Sequence, residues 1–248
     1  MNQPDIHVYP TTLSLSHAVC DQIVDIADRA ITTRGRFTIA LSGGNTPKPI
    51  YEMLSSRDYG EQINWNFTHV FWGDERCVPP TDRESNYHMA REILLNRVRI
   101  PLANMHRMHG EIEPEKAAEQ YEEDLRSFFG KRMSLNKARF DLVLLGMGAD
   151  GHTASMFPGM PAVRETEKWV LAQHVEKLDS WRLTLTPTAI NGAANVYFVV
   201  TGEDKIATLK RVLKDPPNPD ELPAQVIKPT DGKLRWYLDS TAGKGIKS

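Results

Sequence analysis

The chain has 248 residues, with 30 lysines and arginines against 32 acids and a formal charge of −2. It is long enough for a core without disulfide staples, and it lacks the overall basic excess of a nucleic-acid binder. Its two cysteines, Cys20 and Cys77, exclude a disulfide framework and a four-cysteine zinc site.

Apolar stretches such as Val196–Val200 fall far short of the ~20 residues needed to cross a bilayer. Met1-Asn2-Gln3-Pro4-Asp5 has neither the basic start nor the apolar core of a signal peptide. The expectation is a cytoplasmic protein that contacts neither membrane nor nucleic acid.

Val19, Ile23, Ile26, Ala27 and Ala30 recur at helical spacing, which predicts an amphipathic helix near 15–33. Phe37–Leu41 reads as a short strand ended by Ser42-Gly43-Gly44. Thr46 suits a helix N-cap, with Pro47 at the first helical position. The unit recurs with Thr68–Trp72 as strand and Ser85–Arg97 as helix. A helix over Glu115–Phe129 and a buried strand over Phe140–Leu145 follow. Lys168–Ala172 and Val196–Thr201 read as strands, Glu203–Leu213 as a helix, and Trp236–Leu238 as a short last strand at an edge.

This alternation predicts one α/β domain over residues 1–248, an open, mostly parallel Rossmann-like sheet with helices on both faces. Ligands of such sheets bind at the carboxyl ends of strands. The loops Ser42–Thr46, Gly73–Arg76, Gly146–His152 and Gly202–Lys205 all follow strands, so distant segments can meet in one cleft. No heptad or separate apolar stripe indicates an oligomeric state.

Ser42, Gly43, Gly44, Asn45 and Thr46 form a loop whose glycines admit close backbone approach to a ligand, and phosphate suits a strand-to-helix turn. The Gly-Lys-Ser/Thr ending of a P-loop is absent. A tight turn without a ligand is the plain alternative. Gly146-Met147-Gly148-Ala149-Asp150-Gly151 fits a dinucleotide fingerprint, but Pro158, Gly159 and Pro161 leave no room for the long helix that should receive a pyrophosphate. Asp150-Gly151-His152 is more telling. A glycine between carboxylate and imidazole lets both point into one cleft, and histidine exchanges protons near neutral pH.

The remaining histidines lack such a context, and no spacing suits a metal. Arg76, beside Asp74 and Glu75, can hold a phosphate through two parallel bonds while an acid steadies it, with a solvated charge cluster as the plain alternative. Arg182 and Lys205 each place a cation near a strand boundary, where alone they would be ordinary surface charges. Met147, Met156, Phe157 and Trp72 read as core or cleft wall.

Several segments together resemble the 6-phosphogluconolactonase family. They are Leu41–Pro47, Trp72–Pro79, Ser85-Asn86-Tyr87, Leu145–Pro158, Arg182-Leu183-Thr184-Leu185-Thr186 and Leu222-Pro223-Ala224. The resemblance spans nearly the whole chain in order. It implies a fold related to glucosamine-6-phosphate deaminases and ribose-5-phosphate isomerases, with no cofactor or metal. The implied reaction is hydrolysis of 6-phospho-D-glucono-1,5-lactone to 6-phosphogluconate. His152 would be the general base and Asp150 its orienting partner. Ser42–Thr46, Arg76, Arg182 and, less directly, Lys205 would serve the phosphate and the charge developing on the carbonyl oxygen.

Two other functions fit less well. Glucosamine-6-phosphate deaminases resemble Asp-Glu-Tyr where this chain has Asp74-Glu75-Arg76, and they carry an acid where it has Phe157. A sugar-phosphate-sensing repressor needs a helix-turn-helix. The roughly 35 residues before the first expected strand, Phe37–Leu41, offer one helix and no basic cluster.

Overall fold

The computed structural model describes residues 4–130 and 138–246. Met1, Asn2 and Gln3, read above for a signal peptide, lie outside the described residues. Nine strands occur among them: β1 (Asp5–Tyr9), β2 (Phe37–Leu41), β3 (Thr68–Trp72), β4 (Asp74–Arg76), β5 (Leu142–Leu145), β6 (Val170–Val175), β7 (Ser180–Leu185), β8 (Asn195–Val200) and β9 (Lys233–Asp239). The α-helices are α1 (Thr12–Arg34), α2 (Lys48–Leu54), α3 (Arg57–Gly60), α4 (Asn86–Ala90), α5 (Pro114–Gly130), α6 (Pro187–Ile190) and α7 (Ile206–Lys214).

Six strands form one parallel sheet in the order β1-β9-β8-β5-β2-β3. Alternate residues of its central strands enter two cores. Ala40, Val143, Leu145, Val196 and Phe198 pack under α5 and α7, while Ile39, Leu41, Leu142, Leu144 and Tyr197 pack under α1 and α2. Burial on both faces explains why β2, β5 and β8 read as unbroken apolar runs. Strand order reverses between β2 and β5. Their pairing stops at Ala40↔Val143 while the strands continue to Leu41 and Leu145, so the carboxyl ends part and open a crevice.

β2 and β3 match the sequence expectation, and other elements depart from it for physical reasons. α1 starts at Thr12 because Thr11 and Ser14 form a reciprocal capping box, with side-chain oxygens 3.1–3.2 Å from each other's backbone nitrogens. Thr46 does not cap α2. Pro47 precedes that helix, and the Thr46 hydroxyl lies 3.4 Å from that of Thr201. The helix expected over 85–97 is α4, capped by the Ser85 hydroxyl at 3.0 Å from the His88 nitrogen, running into a π-turn over Arg91–Leu95.

The predicted 203–213 helix begins with a 3₁₀ turn, Glu203–Lys205, before α7. β5 starts at Leu142 because the Asp141 carboxylate takes the Thr38 N–H. β9 is no edge strand: β1 and β8 flank it. β1 itself was not anticipated, so a strand precedes Phe37. β6 also leaves the main sheet. It pairs antiparallel with β7, which pairs with β4 in a separate three-stranded sheet.

Candidate active site

The loops after β2, β3, β5 and β8 converge at the carboxyl edge of the main sheet, and the small sheet closes one side. Between them lies a cavity of about 480 Å³. Ser42, Gly43, Gly44, Asn45, Thr46, Arg76, His152, Arg182 and Lys205 line it, joined by Asp74, Gly148, Ser155, Phe157, Lys177 and Leu178. Every predicted site residue except Asp150 therefore borders one space. Asp150 stands behind His152 instead of sharing the cleft.

Its Oδ1 lies 2.5 Å from His152 Nδ1, and its Oδ2 accepts from Lys177 Nζ. Burial alone would raise the Asp150 carboxyl, but the bonds from His152 and Lys177 outweigh it and hold the group well below the usual carboxylate range. An ionised carboxylate only accepts, so Nδ1 carries the proton shared with Asp150, and Nε2 is the ring nitrogen left outside that bond. The Phe157 ring packs on the imidazole with centroids 4.3 Å apart. Gly148 makes this placement possible, since a Cβ there would sit 2.1 Å from His152 Nδ1.

Arg76 and Arg182 face each other across the β4–β7 pair. Like charges directly opposite are unfavourable in a sheet, and no carboxylate among the described residues forms an ion pair with either. Arg76 Nη1 donates to the Glu84 carbonyl at 2.6 Å, while its buried Nε has no partner. Arg182 donates to Ser180 Oγ and the Trp181 carbonyl. Burial, and then the adjacent Arg76 charge, pull the Arg182 guanidinium below its ordinary value. Asp74 and Glu84 act on Arg182 only from a distance, and two cations held together without a direct ion pair make a receptor for an anion. Lys205 stands apart, with Nζ 2.8 Å from its neighbour Asp204.

The acid beside Arg76 does not steady its guanidinium as the sequence suggested. Glu75, only 2% exposed, accepts the backbone N–H groups of Arg76, Asn86 and Tyr87 at 2.6–2.8 Å and the Ser85 hydroxyl at 3.0 Å. Burial pushes its carboxyl up, and those donors partly oppose the shift. By anchoring α4, Glu75 fixes Asn86, whose Nδ2 donates to the Asp74 carbonyl at 2.9 Å and to its Oδ1 at 3.2 Å. The Ser42–Thr46 loop rests on Asn86, because a Cβ at Gly43 would lie 2.0 Å from Asn86 Oδ1.

Ser155 gives its hydroxyl proton to Asp74 Oδ2 at 2.7 Å, and Gln173 Nε2 donates to the Ser155 carbonyl at 2.5 Å. Sequence reasoning missed Lys177, Ser155, Gln173 and the anchoring role of Glu75. Ser155 and Asn86 lay inside quoted motifs, whereas Lys177 and Gln173 fall outside the one motif of their hairpin, Arg182-Leu183-Thr184-Leu185-Thr186.

A doubly wound sheet with a cationic, imidazole-bearing cavity at its switch point defines a class of α/β proteins that handle small anionic molecules. Comparison with known proteins narrows it. Residues 10–236 match the family model for glucosamine-6-phosphate isomerases/6-phosphogluconolactonase. A 6-phosphogluconolactonase of Synechocystis sp. is 43% identical over 220 residues, 88% of each chain. One from Nostoc sp. is 41% identical over 96% of each chain.

The solved 6-phosphogluconolactonase of Trypanosoma brucei superposes with a TM-score of 0.85 at 31% identity, covering all of both chains. A monomeric glucosamine-6-phosphate deaminase of the NagB superfamily shares the fold, with a TM-score of 0.82 at 15% identity. The chain belongs to the glucosamine-6-phosphate isomerase/6-phosphogluconolactonase family.

Proposed function

We propose that this chain hydrolyses 6-phospho-D-glucono-1,5-lactone to 6-phospho-D-gluconate, the ring-opening step of the oxidative pentose phosphate route. The observation that carries the reading is the His152–Asp150 pair, 2.5 Å apart, on the same cavity as two opposed arginines that form no ion pair among the described residues. The imidazole Nε2 removes a proton from water as the water oxygen bonds to the lactone carbonyl carbon. The tetrahedral oxyanion then collapses, the bond from carbon to ring oxygen breaks, and the imidazolium returns its proton to that oxygen. Asp150 fixes the tautomer and stabilises the imidazolium.

Arg76, Arg182 and the Ser42–Thr46 loop share the phosphate and the developing oxyanion, with Lys205 at the margin. A lactone is an activated ester, so a placed base and electrostatic stabilisation suffice without a covalent intermediate. The near-neutral charge and the two free cysteines, Cys20 and Cys77, support a cytoplasmic setting and a small-molecule substrate. Among the described residues no helix is long and apolar enough to cross a membrane. Two cores on opposite faces of one sheet support a single domain.

The test is proton release at neutral pH from freshly made lactone, corrected for spontaneous hydrolysis. Wild type should be fast, and His152→Asn should lose about 10²–10⁴ in kcat with KM little changed. A wild-type rate equal to buffer defeats the assignment. Ammonia release from glucosamine 6-phosphate would point instead to the deaminase branch. Asp74 is poorly placed for that chemistry as the proton-abstracting base, being 8% exposed and tied to Ser155 and Asn86.

A further inference from the structure

The β6–β7 hairpin turns through Glu176–Leu178, with Asp179 at φ +43° and its carboxylate 3.4 Å from His174 Nε2 on β6. Lys177 and Leu178 at the tip border the cavity. Lys177 at that tip donates to Asp150 Oδ2, the oxygen His152 does not use, and its Nζ sits 4.6 Å from the Phe157 ring centroid. His152 also packs on that ring, with centroids 4.3 Å apart. Lysine, carboxylate, imidazole and phenyl ring form one closed cluster, although the Lys177 side chain is 51% exposed.

An ion pair this exposed contributes little to stability, so the arrangement calls for another account. Resting on the lactonase reading above, we propose that Lys177 is a positioning residue. It offsets the charge of Asp150 and holds that carboxylate, so that His152 is oriented as a base without being locked as an imidazolium. A carboxylate alone at this distance favours the charged imidazole, which cannot accept a proton. A lysine on its far oxygen supplies the opposite bias while leaving the orienting bond intact. The remaining charged groups on the cavity are Asp74 and Arg76 of β4, Arg182 of β7 and Lys205 before α7. All of them but Arg182 lie outside the hairpin that carries Lys177.

The experiment is the pH dependence of kcat/KM for the lactone in wild type, Lys177→Met and Lys177→Arg, with a proton NMR titration of the His152 ring. Losing the positive charge should move the acid limb upward by about one pH unit, a typical effect of one charge 4–6 Å away. KM should stay within about twofold, the NMR midpoint should move by the same amount, and Lys177→Arg should restore the wild-type limb. An unmoved limb and midpoint in Lys177→Met overturn the proposal, as does a large rise in KM at an unmoved limb, the signature of a substrate-binding lysine. Failure of the parent reading appears elsewhere: full turnover in His152→Asn would remove the base and this proposal together. An unmoved limb in an enzyme that still needs His152 removes only the role of Lys177.

Discussion

The two ends of the parallel sheet carry similar side chains and treat them in opposite ways. At the amino edge a cavity of about 650 Å³ is bordered by Arg34, Arg36, Arg139 and Asp141. There each cation has a protein partner. Arg34 pairs with Asp141 at 2.6 Å, Arg139 with Asp231 at 2.8 Å, and Arg36 lies 4.2 Å from the Phe128 ring centroid. At the carboxyl edge Arg76 and Arg182 are set side by side, and among the described residues no carboxylate forms an ion pair with either, Asp74 and Glu84 acting on Arg182 only from a distance. Arginines at the amino edge tie strands and loops together. At the carboxyl edge the unbalanced charge is maintained by the small sheet and is available to a ligand. The size of a cavity does not separate the two cases, whereas charge compensation does.

The largest effect expected beyond loss of His152 comes from the geometry of the carboxyl edge. Gly148→Ala puts a methyl group where Nδ1 of His152 and Oδ1 of Asp150 stand, 2.1 and 2.7 Å away. Displacing the imidazole by about 1 Å should cost about 10² in kcat, read from steady-state kinetics, and unchanged kinetics would mean the pair is not held there. Arg182→Met should lower kcat/KM by about 10- to 100-fold, the value of one or two charged hydrogen bonds. It should also abolish the rise in melting temperature that inorganic phosphate gives wild type, with no loss of stability in the phosphate-free protein. Melting well below wild type without phosphate would make Arg182 structural and collapse the contrast.

Asp141→Ala is the mirror experiment at the amino edge. It strips acceptors from Arg34 Nη2, the Thr38 N–H and the Thr38 hydroxyl, all at 2.6–2.8 Å. Two of those donors are buried, so unfolding by urea should show a loss of about 2–4 kcal/mol. The kcat of the folded fraction should stay within about twofold of wild type, since nothing at the other edge moves. A catalytic defect without a stability defect would reverse the assignment of the two ends.

What the sequence discloses follows the same division. β2 and β3 are legible because each is an apolar-rich run cut off by glycine, and the loops after parallel strands must share an edge. The position of β9 is not legible: Trp236–Leu238 looks like a terminal scrap, and only its pairing with β1 shows it to be interior. β4 carries three charged residues and no apolar one, so periodicity cannot reveal it. The glycine loop and Asp150-Gly151-His152 stand out because backbone and chemistry coincide there. Lys177 reads as an ordinary hairpin lysine until the hairpin is folded over Asp150. Glu75 looks like a partner for its neighbour Arg76, yet the strand sends the two side chains to opposite faces.

Glu75 also gives the finest test of the comparison, because it is a buried carboxylate held by backbone N–H groups and a hydroxyl and not by a cation. Its native carboxyl is raised by burial. Between the ordinary value of 4.5 and that raised value, the native state binds more protons than the unfolded one. Stability contributed by this site therefore falls as pH rises through the window, by at most about 1.4 kcal/mol per unit. Asp150 has the opposite sign. Its carboxyl is depressed, so its contribution is present at neutral pH and is lost only as pH falls below about 3.8.

Glu75→Gln removes the first slope while leaving the second. Urea unfolding of both proteins between pH 7 and pH 4.5 should show wild type gaining on the variant as acid is added. A difference that shrinks with acid would mean Glu75 is stabilised as an anion, like a carboxylate in an ion pair. In that case the helix start it anchors would be acting as its counter-charge, and the carboxyl edge would be better compensated than its two arginines suggest.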